Sequence, residues 1–98
     1  MEPSVIQRQL IDVAERIKTQ RAELARLDEQ HASAEEYAEE ARLRGLLAET
    51  PQAVVDAHEA ARRVELFARA RTAVVRSLDD LIAEQDALLD KLGSANGA

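Results

Sequence analysis

Gly45-Leu46-Leu47-Ala48-Glu49-Thr50-Pro51-Gln52-Ala53-Val54 holds the clearest break in a chain otherwise built of helix formers, and it decides the fold. Threonine is a good helix N-cap, because its hydroxyl can accept from an otherwise orphaned backbone N–H. Proline at the first helical position gives up no hydrogen bond that the helix would have made. Thr50-Pro51 therefore starts a helix, and Glu49-Thr50 is left as a tight turn after an earlier one.

Upstream of the turn, Ile6, Leu10, Val13, Ile17, Gln20, Leu24, Leu27, His31, Ala34, Ala38, Ala41, Gly45 and Ala48 recur in alternating steps of four and three. This is the period of a coiled-coil seam. Downstream, Val54, Ala57, Ala61, Val64, Ala68, Arg71, Val75, Leu78, Ile82, Gln85, Leu89 and Leu92 keep the same rhythm. Pro3, and Ser4 with Gln7 as a capping box, open the first helix; Gly93 after Leu92 closes the second. The expected fold is all-α: a coiled-coil-like antiparallel hairpin with helices over about 5–48 and 51–92 and a turn at 49–50. It forms a single domain over 1–93, followed by a flexible tail over 94–98. A 42-residue helix runs to about 63 Å, so an elongated molecule is expected. Ser33-Ala34-Glu35-Glu36 also matches a capping box, and a break there would give a three-helix alternative. The seam crosses Ser33 without a slip, which favours one helix.

Charge supports the hairpin. Facing residues should have numbers summing to about 101. That sets Asp28, Glu29, Glu35, Glu36, Glu39 and Glu40 beside Arg62, Arg63, Arg69 and Arg71, and Arg16, Lys18, Arg21 and Arg26 beside Asp79, Asp80, Glu84 and Asp86. Exposed pairs are each worth at most about 1 kcal/mol, so they select register more than they stabilise it.

A two-helix coil needs two apolar rows, but the second helix carries a third: Ala53, Ala60, Phe67, Val74, Leu81 and Leu88, each seven apart. Something should cover it. Phe67, Val74, Leu81 and Leu88 are thus the candidate flat interface. Leu43, Leu46 and Leu47, with Val55 nearby, are a candidate apolar patch at the tip. A homodimer forming a four-helix bundle is the expected partner arrangement, and a helical segment of another protein is the alternative.

The chain has 98 residues, 46% of them apolar and only 2% aromatic, with 13 basic and 19 acidic residues for a net charge of -6. Alanine supplies 19 of the apolar positions, which argues against a thick, ring-filled globule and for thin layers of helix. With no cysteine, disulfides, thiolate metal sites and cysteine catalysis are excluded. The start, Met1-Glu2-Pro3-Ser4, lacks the basic and apolar regions of a secretory leader, and no apolar run approaches the ~20 residues of a membrane span. A cytoplasmic location is expected, without membrane association.

The polar seam residues Gln20, His31, Arg71 and Gln85 are assigned to fixing register, with His31 and Arg71 expected to share a polar layer. Asp28 and His31 have the i, i+3 spacing of paired metal ligands, but His58 has no acid three residues before it and is out of register with His31. No metal or other cofactor is expected. An alternative function is a small all-α enzyme whose inter-helix pocket grips an anionic metabolite through arginine and glutamine. The all-helical chorismate mutases are similar in length, with Arg8 near the start and Gln85-Asp86-Ala87-Leu88-Leu89 near the end. The basic pocket residue of their first helix has no counterpart, and the chain is not assigned to them. Residues 60–76 hold five arginines against Glu65, a stripe that could track phosphates. The net charge and the facing acids argue against nucleic acid. No converging catalytic constellation is visible, so the expected function is non-enzymatic: a protein–protein interaction module, such as a small adaptor, chaperone-like or assembly factor.

Overall fold

A computed structural model describes residues 2–97 and contains two α-helices, α1 (Pro3–Ala48) and α2 (Pro51–Gly97), which form a hairpin. The described residues include no strand. Met1 and Ala98, the outer ends of the expected domain and tail, lie outside the described residues. α1 passes through Ser33 without interruption, so the three-helix alternative falls. The capping box there is outweighed by the continuous buried stripe on both sides of it.

The turn forms as its residues dictate. The Ala53 N–H donates to the Thr50 hydroxyl at 3.2 Å and the Val54 N–H to the Thr50 carbonyl at 3.2 Å, which caps α2 with Pro51 in its first position. At the end of α1, Glu49 takes a left-handed backbone conformation (φ 52°) and donates its N–H to the Gly45 carbonyl at 3.3 Å. This is the αL form of helix termination, normally given to glycine because it has no Cβ to crowd the carbonyl.

The outer helix ends differ from expectation. α1 begins at Pro3 rather than Val5, with the Glu2 carbonyl accepting from Val5 (3.1 Å) and Ile6 (3.2 Å). Pro3 does at this end what Pro51 does at the turn, and Ser4 falls inside the first turn instead of capping it. α2 continues through Gly93 to Gly97, and no described glycine has positive φ. Gly93 is therefore not a cap. A helical glycine costs only about 1 kcal/mol relative to alanine, and the last turn of α2 accommodates it.

The hairpin divides into two compact units: a turn unit, Leu24–Ala73, and a terminal unit, Met1–Glu23 with Val74–Ala98. In the turn unit the buried residues are small: Ala41 and Ala60, with Leu27 at the far end. The helices come close at Gly45. A Cβ there would lie 3.3 Å from the Ala53 carbonyl oxygen and 3.6 Å from the Ala57 Cβ. In the terminal unit the core is larger: Ile6, Val13 and Ile17 from α1, Leu78 and Leu88 from α2.

Burial on α1 follows the expected seam closely. Every position from Ile6 to Gly45 is buried or half-buried, and only Ala48 is exposed. On α2 the stripe is displaced by one row. Ala53, Ala57, Ala60, Val64, Phe67, Val74, Leu78, Leu81, Gln85, Leu88 and Leu92 are buried or half-buried, again in steps of four and three once the exposed Arg71 is counted in. The row expected to be left over is thus half of the stripe. In its place Val54, Ala61, Ala68, Ile82 and Leu89 are exposed and Val75 is half-buried. The physical reason is size. At mid-helix the two rows offer Phe67 and Ala68, and turning the larger side chain inward removes more apolar surface from water.

Candidate functional site

The displaced stripe changes which residues are available to a partner. In the turn unit, Phe67 is half-buried in the stripe; in the terminal unit, Val74 and Leu81 are half-buried and Leu88 is buried. These four are spent largely within the hairpin and do not form a vacant face. Leu43, Leu46, Leu47 and Val55 are all exposed, Leu47 at 85%. They do not form one patch. Leu43 and Val55 each sit directly opposite the buried stripe of their own helix, so the hairpin turns them to opposite sides. The tip patch is the α1 group alone.

The polar stripe residues separate into different partnerships. The Arg71 guanidinium donates through Nε to the Asp28 carboxylate across the hairpin. Its index sum of 99 is close to the expected 101. No hydrogen bond or ion pair joins His31 to Arg71; the His31 Nδ1 lies 3.0 Å from Glu35 Oε1 on its own helix. A carboxylate one turn away is closer at hand than a cation that already has a better partner in Asp28. Gln20 and Gln85 are half-buried in the terminal unit. Among the described residues no buried side-chain polar atom lacks a hydrogen bond.

One exposed pair carries a bidentate charge-assisted bond. Arg42 donates to Glu39 from Nε at 3.0 Å and from a terminal nitrogen at 2.7 Å. This bidentate bond holds the Glu39 carboxyl below its usual range and raises the Arg42 guanidinium. Arg16 pairs with Asp12 at 3.1 Å and Arg69 with Glu65 at 3.9 Å, each within one helix. The expected block-to-block pairing across the hairpin is seen in Arg71 with Asp28, whereas Arg16–Asp12, His31–Glu35, Arg42–Glu39 and Arg69–Glu65 are local. Short i, i+3 and i, i+4 reaches cost less side-chain ordering than reaches between helices. Among the described residues no three His, Asp or Glu side chains gather as metal ligands would.

Two lateral faces remain. On one face of the turn unit, Tyr37, Arg63 and Gln30 border a groove of about 450 Å³ floored by Ala34, Ala60 and Phe67. Small side chains in the stripe leave this hollow beside the ring of Phe67. Arg44 lies over the Tyr37 ring, 5.6 Å from its centroid. The groove has an apolar floor, and Glu29, Ser33, Tyr37 and Arg63 line it with one carboxylate, two hydroxyls and one cation.

The second lateral face belongs to the terminal unit. The positions that follow the stripe residues on each helix share that side: Ala14 and Arg21 on α1, Val75, Ile82 and Leu89 on α2. Ile11 lies beside Ala14. Ile11, Ile82 and Leu89 are all exposed. The sequence pattern assigned Ile82 and Leu89 to the seam and did not single out Ile11 or Tyr37. Three apolar rows on α2 were visible as such; only their relative bulk at Phe67 and Ala68 could have told which one faces out. No helix of the described residues is long and apolar enough to cross a membrane. No protein-family profile, curated protein sequence or solved structure matches this chain.

Proposed function

We propose that the chain is a non-catalytic protein–protein interaction module, in the manner of a small adaptor, chaperone-like or assembly factor acting in the cytoplasm through apolar helix faces. The observation that carries this is the exposure of Ile11, Ile82 and Leu89 on one side of the terminal unit. A helix that buries one stripe against its hairpin partner and still displays an apolar row has the width of a bundle helix. Single exposed apolar residues need no explanation, but a contiguous group of large ones marks an interaction surface. The tip leucines Leu43, Leu46 and Leu47 are a smaller second surface of the same kind.

The enzyme reading would need converging groups. The groove beside Phe67 gathers Glu29, Ser33, Tyr37 and Arg63 around an apolar floor, and among the described residues no hydrogen bond joins its hydroxyls to a base as a nucleophile–base pair would require. Of the five arginines in residues 60–76, Arg69 and Arg71 are drawn to Glu65 and Asp28, which weakens the stripe as a phosphate track.

A photo-crosslinking residue installed at position 89 or 47, in cells, tests the reading. Discrete adducts should form there, with this chain or another, and not from a control at the outward-facing Glu36. The absence of discrete adducts at both apolar positions would overturn it.

A further inference from the structure

The apolar face of the terminal unit is flanked by charge of opposite sign on its two helices. On α1, Lys18 and Arg21 border Ile11 and Ala14; on α2, Asp79 and Asp86 alternate with Val75, Ile82 and Leu89. All four charged side chains are exposed, and among the described residues none of them makes an ion pair. Such a face is basic along one edge, apolar in the middle and acidic along the other. It is complementary to itself.

We propose that its occupant is a second copy of this chain, docked with α1 of each copy against α2 of the other; this rests on the interaction-module reading above and names the partner. The arrangement follows from symmetry. The two-fold axis of an isologous dimer lies in the plane of the interface. With the axis along the helices, like ends meet and each α1 faces the other copy's α2. Lys18 and Arg21 then oppose Asp79 and Asp86, twice per dimer. With the axis across the helices and centred on the same patch, α1 faces α1 and α2 faces α2, so basic meets basic and acidic meets acidic. Charge selects the first. The chain has surface to spare: it exposes 7125 Å², against roughly 5,500 Å² for a folded monomer of its mass. The excess is about twice the ~800 Å² that each partner of a standard interface removes.

The test is solution mass by size-exclusion chromatography with light scattering over a hundredfold concentration range. The wild-type chain should run at twice 10.8 kDa. The double variants K18E/R21E and D79K/D86K should each weaken the dimer at least tenfold, because every cross-copy pair becomes like-charged. Mixed in equal amounts, the two variants should regain wild-type affinity, since every pair is then again opposite in sign. Far-UV circular dichroism on each variant shows that the helices survive. A wild-type monomer at all concentrations refutes the second copy, while adducts with another protein at position 89 would leave the interaction module standing. A wild-type dimer that both double variants retain undiminished refutes this arrangement of the copies.

Discussion

Leu88 and Leu89 are adjacent in sequence and identical in chemistry, and the structure assigns them opposite fates. Leu88 is 6% exposed and Leu89 50% exposed. Truncation to alanine removes about three carbons, and burial is worth about 0.8 kcal/mol per methylene. For Leu88 nearly all of that, about 2.3 kcal/mol, is lost. The cavity left between α1 and α2 raises the cost to about 2.5–3.5 kcal/mol. For Leu89 about half is lost, near 1.2 kcal/mol at most, with no cavity to add and a small gain in helix propensity from alanine. The two variants should differ by about 1.5–2 kcal/mol, or roughly 6–16 °C in Tm for a domain of this size. Urea unfolding followed at 222 nm, at two protein concentrations a hundredfold apart, measures both. The Leu88→Ala loss belongs to the hairpin and should not depend on concentration. Any part of the Leu89→Ala loss that comes from self-association should shrink on dilution. Equal losses at the lower concentration, or a larger one at Leu89, would return residue 89 to the buried stripe and refute the register described above.

Thr50→Ala removes the hydroxyl that accepts from Ala53 and should lower stability by about 1 kcal/mol in the same urea assay. Glu49→Gly relieves the left-handed strain at φ 52°; a gain of about 0.5 kcal/mol is expected after the extra entropy of an unfolded glycine is subtracted. The lowered Glu39 carboxyl should titrate below the ordinary glutamate range by carbon-detected NMR, and Arg42→Gln should return it to that range. Because the folded value is the lower one, the pair's contribution is present above the unfolded-chain pKa and disappears as pH falls through the folded value.

The hairpin itself was legible because Thr50-Pro51 is a strong local signal with a unique interpretation, and because α1 carries a single apolar stripe. Residues such as Ile6, Val13 and Ala41 have only one way to face inward. α2 was ambiguous for a definite reason. Its rows beginning at Val54 and at Ala53 both repeat every seven residues, and periodicity alone cannot choose between two rows that differ by one position. The contest was settled by Phe67 against Ala68, a matter of volume rather than period. His31 shows the same limit. Spacing placed it on the stripe, where it is, but could not foresee that Glu35 would engage its ring. Gly93 misled because a glycine near the end of an apolar run is a cap only when its backbone turns left-handed, and here it does not.

The small residues at the turn and the large ones at the chain ends have a kinetic consequence. Closing a loop costs about (3/2)RT ln n, so contacts around Gly45 and Ala53 form early and cheaply, yet Ala41 and Ala60 return little apolar burial for it. The strongest burial, at Ile6, Val13 and Leu88, joins segments almost the whole chain apart. Each doubling of separation adds only about 0.6 kcal/mol of closure entropy. The barrier should therefore be crossed with the turn formed and the terminal pairs not yet docked, so that substitutions at Ile6 or Leu88 speed unfolding and leave the folding rate nearly unchanged. The chain ends act as the latch of this molecule, and its residence time in the folded state is set there.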